Sequence, residues 1–488
     1  MSTEIRNLEP KAVWNHFADL NAVPRPSKKE ERVIQFMVDF GKKLNLETSV
    51  DKVGNVIIRK PASSGMEDRK TIVMQSHLDM VHQKNSDTVF DFDTEGIKMF
   101  VDGDWVKAKG TTLGADNGLG VASIMAILSS EDIAHPAIEA LFTIDEETGM
   151  TGAMGLEGGL LTGEILLNLD TEEDDEIGIG CAGGVDITAT GTYKQEETPE
   201  HTLAFELSVT GLNGGHSGMD IHKGLGNANK IMNRLLFDGF TNHGLRISEI
   251  NGGSLRNAIP RESFAIIVVD TVSKESFFLE LHELINEIKA EFESLEPNLT
   301  IELKEVELPN YVMDLGVQIG LIKSIYGALN GVYRMSPDIT DLVETSNNIA
   351  RVIVKDGNIK IGCLTRSSSE TNKWDLANSL RSIFELAGFD VEFSGSYPGW
   401  LPNMSSDILK VMKKLYIELN DSEPHVAACH AGLECGILGQ NYPNMDMISF
   451  GPNIRGAHSP DERAQISSTL KFWEFLLEIL KNIPKTKN

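Results

Sequence analysis

Apolar residues along the first part of this chain recur with a helical period and then with a strand period. Between residues 10 and 45, Trp14, Phe17 and Leu20 share one helical face and Val33, Phe36, Met37 and Phe40 another, with Pro24-Arg-Pro26 separating two predicted helices. Short runs of β-formers follow. Asn55-Val-Ile-Ile-Arg59, Thr71-Ile-Val-Met-Gln75, Ala140-Leu-Phe-Thr-Ile144 and Glu164-Ile-Leu-Leu-Asn-Leu-Asp170 read as buried strands, and Val121 to Leu128 as a helix. Strands alternating with helices over residues 50 to 180 predict an α/β sheet, a class whose functional residues gather at strand ends.

Beyond this the pattern changes. Residues 187–396 read as an inserted α+β segment containing a degenerate duplication. The first copy has a strand from Leu203 to Thr210, a helix from about Asn227, a strand from Ser263 to Asp270 and a helix from Glu275 to Phe292. The second has a helix from Leu315 to Leu329, a strand from Lys360 to Leu364 and a helix from Lys373 to Leu386, with Asn348-Ile-Ala-Arg351 echoing Asn257-Ala-Ile-Pro-Arg261. From Tyr397-Pro-Gly-Trp400 the chain returns to the first domain with a helix (Ile408 to Leu419), a strand (Met445 to Phe450) and a closing helix (Leu470 to Leu480). The expected organisation is one domain from 1–186 and 397–488 and an inserted domain from 187–396.

Length and charge narrow the function. A chain of 488 residues exceeds one ordinary domain, and a net charge of −28 repels phosphate backbones and anionic lipid, so neither nucleic acid nor a membrane is an expected partner. The N-terminus lacks the basic and apolar sections of a signal peptide, and the expected location is the cytoplasm. Cys181, Cys363, Cys429 and Cys435 show neither a paired framework nor Cys-x-x-Cys spacing, so a metal would have to use His and carboxylates. Gly178-Ile-Gly-Cys-Ala-Gly183 matches a dinucleotide fingerprint by letter, but strand-like Val185-Asp-Ile-Thr-Ala-Thr190 follows where a helix is needed. It reads instead as a glycine-rich crossing between domains.

Thr143-Ile-Asp-Glu-Glu-Thr-Gly-Met-Thr-Gly152 sets three adjacent carboxylates at a strand's end, where mutual repulsion needs a cation or a task to offset it. Asp116, in Leu113-Gly-Ala-Asp-Asn-Gly-Leu-Gly120, stands at a helix start and taken alone reads as an N-cap. His77, Asp116, Glu147, Asp170 and His458 together, each at a strand end or helix start, make a set suited to two borderline divalent cations with one carboxylate bridging. Glu146 would then be free to act as a base, and Asp79 to hydrogen-bond the far nitrogen of His77.

Six motifs occur in order: Ser-His-Leu-Asp-Met-Val, Gly-Ala-Asp-Asn-Gly, Asp-Glu-Glu-Thr-Gly, Gly-Gly-His-Ser-Gly, Arg-Asn-Ala-Ile-Pro and Gly-Ala-His-Ser-Pro. Over essentially its whole length the chain resembles the co-catalytic zinc exopeptidases that include aminoacylase, carnosinase and succinyl-diaminopimelate desuccinylase, and within them the bacterial dipeptidases. The resemblance implies a mixed sheet flanked by helices with an inserted lid. It implies one zinc on His77 and Asp170, another on Glu147 and His458, Asp116 bridging, and cobalt or manganese as alternatives to zinc. Glu146 would be the general base, Asp79 the orienter, and the Asp116–Asn117 peptide cis. In the lid, His216 and Asn257 match residues that polarise the scissile carbonyl, Arg366 the one that grips the substrate's C-terminal carboxylate, and Gly432 a backbone contact. A turn Asn, a loop His and a surface Arg are the plainer readings of Asn257, His216 and Arg366. His82, His222 and His430 match no ligand position.

The implied activity is hydrolysis of dipeptides bearing a free C-terminal carboxylate, including Xaa-His. Hydrolysis of N-acyl amino acids or tripeptides on the same site is the alternative, and a non-catalytic metal-binding protein a remote one. The resemblance also implies that in dimeric relatives with a short lid the equivalents of His216 and Asn257 reach over from the other subunit, whereas a duplicated lid lets one chain imitate that dimer. The inserted segment here, roughly 210 residues, is about twice the size of one small α+β unit, so His216 is expected to serve its own chain, with a homodimer through the lid left open.

Overall fold

The structure, a computed structural model, describes residues 4–486. The chain divides into two compact units: one takes the chain through Gly180, then Pro402–Ala428 and the chain from Leu433 onward, and the other takes Cys181–Leu401 and Cys429–Gly432.

The first unit is built on an eight-stranded mixed sheet in the order Glu47–Val50, Val56–Lys60, Ile138–Thr143, Ile72–His77, Ile165–Asn168, Asp446–Ser449, Glu176–Cys181, His425–Cys429. Its middle, from Ile138–Thr143 to Asp446–Ser449, is parallel. Ile138–Thr143, Ile72–His77 and Ile165–Asn168 are buried at every position, as parallel strands covered on both faces must be. The N-terminal pattern forms the helices Lys11–Leu20 and Glu31–Lys43, which bury Trp14, Phe17 and Leu20 and then Val33 and Met37. The helix Ala115–Ser129 packs against Ile72–His77 so closely that a Cβ on Gly120 would lie 2.4 Å from Ser76 Oγ and 2.6 Å from the Leu169 carbonyl oxygen. A separate four-stranded sheet, Ile454–Arg455, Arg463–Gln465, Trp105–Ala108, Met99–Asp102, frames the loop that carries His458.

The second unit holds a nine-stranded sheet. Eight strands run Thr300–Val306, Thr202–Thr210, Ser263–Asp270, Arg246–Gly253, Val343–Lys355, Asn358–Ser367, Gly183–Thr192, Asp390–Tyr397, and Gly331–Met335 pairs beside Val343–Lys355. Read outward from the central antiparallel pair Arg246–Gly253 and Val343–Lys355, the two halves match. Each contains a strand, a helix, two adjacent strands, a second helix and an edge strand; the helices are Ala228–His243 and Lys274–Phe292 in one half, Leu315–Gly327 and Glu370–Leu386 in the other. The core, with Phe205, Leu235, Ile267, Phe277, Ile361, Leu380 and Phe384, lies between these helices and the sheet. The echo between Asn257 and Asn348 is not one of equivalent positions: Asn348 lies inside a central strand, whereas Asn257 lies in the connection after Arg246–Gly253.

The second unit is wider at both ends than residues 187–396, because Gly183–Thr192 pairs along its whole length with Asn358–Ser367 and also with Asp390–Tyr397. The glycine-rich stretch is the crossing between the two units, made from strand to strand: Glu176–Cys181 is a strand of the first sheet and Gly183 opens a strand of the second, with the boundary after Gly180. A Cβ at Gly183 would sit 2.4 Å from the Gly399 nitrogen, a close backbone approach that accounts for the glycine.

Replacing Gly120 with Ala pushes a methyl group into Ser76 and the Leu169 backbone. The expected loss of stability in urea unfolding is about 1–3 kcal/mol, the usual cost of overpacking, despite alanine's better helix propensity.

Candidate metal centre

Three neighbouring parallel strands end at one edge of the first unit's sheet, and their ends carry the acidic and imidazole groups. His77 closes Ile72–His77, Glu146 and Glu147 lie in the turn after Ile138–Thr143, and Asp170 follows Ile165–Asn168. Asp116 is the second residue of the helix Ala115–Ser129, but its backbone (φ −81°, ψ 109°) is not helical and the N-cap position belongs to Gly114. The Asp116–Asn117 peptide is cis. His458 lies in the loop between Ile454–Arg455 and Arg463–Gln465 with φ of 63°.

Asp116 is shared. Its Oδ1 lies 3.1 Å from Nε2 of His77 and its Oδ2 3.2 Å from Nε2 of His458. Asp170 Oδ1 is 3.6 Å from Nε2 of His77, and Glu147 Oε2 is 3.0 Å from Nε2 of His458. His77, Asp116 and Asp170 therefore converge as one donor set, and Asp116, Glu147 and His458 as another. Glu146 Oε2 stands 4.0 Å from Nε2 of His77. Asp79 contacts the far side of that ring, with Oδ1 3.4 Å from Nδ1, while its backbone oxygen lies 3.1 Å from the same nitrogen. The Asp79 carboxylate also accepts the backbone N–H of Glu146 at 3.0 Å and of Glu147 at 3.3 Å, so one residue orients the imidazole, through its backbone oxygen and carboxylate together, and fixes the acidic turn.

Charge crowding governs the electrostatics. Burial raises the Glu146 carboxyl well above its ordinary value; His77 opposes this, and Asp170, Glu434 and Glu147 add to it. Burial likewise raises Asp170, with Asp116, Glu434 and Glu147 working against the charge of His77. Burial works against the Asp116 carboxylate too, but hydrogen bonds from His458 and His77 hold it well below the usual range. Hydrogen bonds to Asp116 and Glu147 raise His458 to about 11. Burial disfavours the His77 imidazolium, yet Asp170, Asp116 and Asp79 raise it well above its ordinary value. Glu147 Oε1 is buried without a hydrogen-bond partner. Imidazole nitrogens and carboxylate oxygens with a free buried lone pair are the donor chemistry of a borderline divalent cation, and the residues fit a pair of such ions.

Two supports lie outside the sequence reading. The buried Glu462 carboxylate accepts the backbone N–H groups of Leu113, Gly114, Ala115 and Asp116, at 2.7, 2.9, 2.7 and 3.2 Å. The buried Arg25 donates to the carbonyl oxygens of Leu78, Asp79 and Gly114, tying the His77 segment to the Asp116 segment. Beneath the ligands runs a polar chain. Thr143 Oγ1 and Gln75 Nε2 both donate at 2.6 Å to Glu434, Asn168 donates to Gln75 at 2.5 Å, and Ser449 to Asn168 at 2.5 Å, with Thr171 2.8 Å from Ser449. Burial pushes Glu434 up to about 7. The only hints in the sequence were an Arg between two prolines and an acidic residue four positions past His458.

The second unit gathers the remaining residues named from the sequence. His216 pairs in register with Ala258, the neighbour of Asn257. Asn348 Nδ2 donates to the carbonyl oxygens of Arg256 and Ala258, at 3.1 and 2.8 Å, and so clamps the backbone on either side of Asn257. His216 Nδ1 accepts the N–H groups of Gly218 and Met219, which assigns the proton to Nε2, 3.4 Å from Arg366 Nη2. Burial, aided by Arg366, lowers His216 to about 4, so the ring is neutral at ordinary pH. Arg366 is buried and donates to Tyr397 Oη at 2.9 Å. His430, two residues before Gly432, contacts Ser346 Oγ through Nε2 at 2.7 Å.

The chain is 44% identical over 483 residues, 99% of each sequence, to the cytosol non-specific dipeptidase of Escherichia coli strain K12. The crystal structure of aminoacylhistidine dipeptidase from Vibrio alginolyticus matches with a TM-score of 0.93 and 42% identity over 99% of both chains. An aminopeptidase of Bacillus cereus, 16% identical, shares the fold at a TM-score of 0.57 over 98% of this chain and 99% of its own. Residues 73–482, which include both imidazoles and all the carboxylates of the two donor sets, match the peptidase family M20/M25/M40, and the chain belongs to that family.

Proposed function

We propose that this chain is a metal-dependent dipeptidase that hydrolyses short substrates with a free C-terminal carboxylate, Xaa-His among them. The observation that carries the reading is the Asp116 carboxylate, with one oxygen on each of two imidazoles. The 44% identity to a protein named cytosol non-specific dipeptidase supports the substrate class, as does the likeness to an aminoacylhistidine dipeptidase. The cytoplasm is the proposed location; among the described residues no helix is long and apolar enough to cross a membrane.

His77 and Asp170 would hold one divalent cation, Glu147 and His458 the other, with Asp116 between them; zinc suits the donor set, and cobalt or manganese could replace it. Such a pair supplies Lewis acidity, which brings the pKa of water down to about 7 and polarises a carbonyl. Glu146 takes the proton of the attacking water at Oε2 and returns it to the leaving amine, a task open to a carboxylate that stands beside the donor sets with Oε2 4.0 Å from Nε2 of His77. Asp79 keeps the Glu146 backbone and the His77 ring in place throughout. In the second unit, neutral His216 donates from Nε2 to the substrate carbonyl oxygen, together with Asn257. Arg366 binds the terminal carboxylate, and the Gly432 backbone lies against the substrate. A carboxylate held at a set distance from the reacting carbonyl favours dipeptides over longer chains.

Glu146→Ala is expected to abolish turnover while elemental analysis still finds two metals per chain, whereas Asp116→Ala loses metal and activity together. A metal-free Glu146→Ala protein would reverse the roles of Glu146 and Glu147. Arg366→Ala is expected to lower kcat/KM for free dipeptides by about 2–4 kcal/mol of transition-state binding and to leave the slow hydrolysis of dipeptide amides nearly unchanged. In a substrate panel, free dipeptides should be cleaved far faster than tripeptides or N-acetyl amino acids. Preference for either of the latter would move the assignment to a tripeptidase or an N-acyl amino acid hydrolase.

A further inference from the structure

Leu113, Gly114, Ala115 and Asp116 present four successive backbone N–H groups to a single side chain. Gly114 makes this possible: its φ of 70° turns the backbone so that its N–H joins those of its neighbours, forming the concave nest that backbone amides make for an anion. A Cβ at Gly114 would lie 2.6 Å from the Arg25 guanidinium and 2.8 Å from Met80 Sδ, so no other residue fits without displacement. The nest is filled from within the chain. Glu462 Oε2 accepts from Leu113 and Gly114, and Oε1 from Ala115 and Asp116. Glu462 closes the loop that carries His458, and that loop is fastened on itself: Ser459 Oγ donates to the Gly456 carbonyl at 2.7 Å, and Glu462 N–H to the Ser459 carbonyl at 3.1 Å. One loop thus offers an imidazole to one oxygen of Asp116 and grips the Asp116 backbone with its last side chain.

We propose that Glu462 is a positioning residue for the metal centre: by holding the Leu113–Asp116 backbone it sets the Asp116 carboxylate between His77 and His458, and both cations depend on it. The proposal rests on the reading of Asp116 as the shared ligand. It assigns Glu462 more than helix capping. A cap stabilises the helix whatever lies beyond it, whereas a residue that aims the shared ligand must change the affinity of two ions at once. Glutamine keeps the shape of Glu462 but turns one of its two acceptors into a donor, which would face two of the N–H groups.

Zinc binding to purified full-length wild type, Glu462→Gln, Glu462→Asp and Asp116→Asn, titrated against a chromophoric chelator well below each protein's melting temperature, tests this without recourse to turnover. The expected result for Glu462→Gln is a loss of about 10- to 100-fold in affinity at both sites, the usual effect of removing a group that orients ligands, with Glu462→Asp intermediate because it keeps the charge at shorter reach. Folded Glu462→Gln that binds two zinc ions as tightly as wild type, with only its apo melting temperature lowered, would overturn the proposal and leave Glu462 a cap. If Glu462→Gln does not fold, Glu462→Asp decides: wild-type affinity at both sites overturns the proposal, and parallel weakening of both sustains it. Asp116→Asn separates the two readings. Wild-type zinc binding by that variant would sink the shared-ligand assignment itself, whereas its failure to bind beside an unaffected Glu462→Gln would sink only the role given to Glu462.

Discussion

One carboxylate with two imidazoles, one on each oxygen, constrains how the first unit can be assembled. Asp116 can face both His77 and His458 only if a strand end, a helix start and a loop far along the chain are brought to the same point. The backbone around His77, Asp116 and the acidic turn is held by charged side chains that a hydrophobic core alone would not require. Arg25 ties the carbonyl oxygens behind His77 and before Asp116, Glu462 gathers the amides leading into Asp116, and Asp79 takes the amides of Glu146 and Glu147. Burying an arginine and two carboxylates is costly unless their hydrogen bonds are met, and here the backbone meets most of them, Arg25 Nε being left without a partner. The acidic site is therefore built by directing main-chain groups at buried charges, which leaves the ligand oxygens and imidazole nitrogens free to meet one another.

The same economy appears in the second unit, where polar residues perform structural work inside a strand. Val343–Lys355 is buried continuously through its first eight residues, although Glu-Thr-Ser-Asn-Asn makes up most of that stretch. Thr345 pairs with Ser367, Ser346 with His430, Asn347 with the Leu329 carbonyl and Asn348 with the Ala258 carbonyl. A strand of this kind carries specific partners on its side chains, and through Asn348 it supports the segment bearing Asn257.

This explains which parts of the fold and site could be read in the sequence. Helices with a clear apolar face, such as Lys11–Leu20, and strands made of β-formers, such as Ile72–His77, declare themselves through periodicity, and their ends point to His77, Glu147 and Asp170. Val343–Lys355 does not, because hydropathy treats a satisfied buried Asn as it would an exposed one. Asp116 stood out through its motif, yet its surroundings did not. Glu462 and Arg25 act on backbone atoms distant in sequence, and no local spacing marks a side chain whose partners are main-chain groups. The matching halves of the second sheet were legible only as a faint repeat, because similarity of strand order outlasts similarity of residues.

The polar chain from Thr143 through Glu434, Gln75, Asn168 and Ser449 to Thr171 has a meaning beyond satisfied hydrogen bonds. Parallel strands lined only with Val, Ile and Leu resist a slip by two residues weakly, since the same kind of side chain returns to the same face. A single Gln, Thr or Asn on each strand, placed so that it meets the next strand's partner at one offset only, works as a ruler laid across the sheet. Gln75 and Asn168 stand two residues before His77 and Asp170, so fixing their height fixes the height of the two ligands above them. The level at which the sheet presents its chemistry is thus decided one layer below, by neutral side chains and one buried acid.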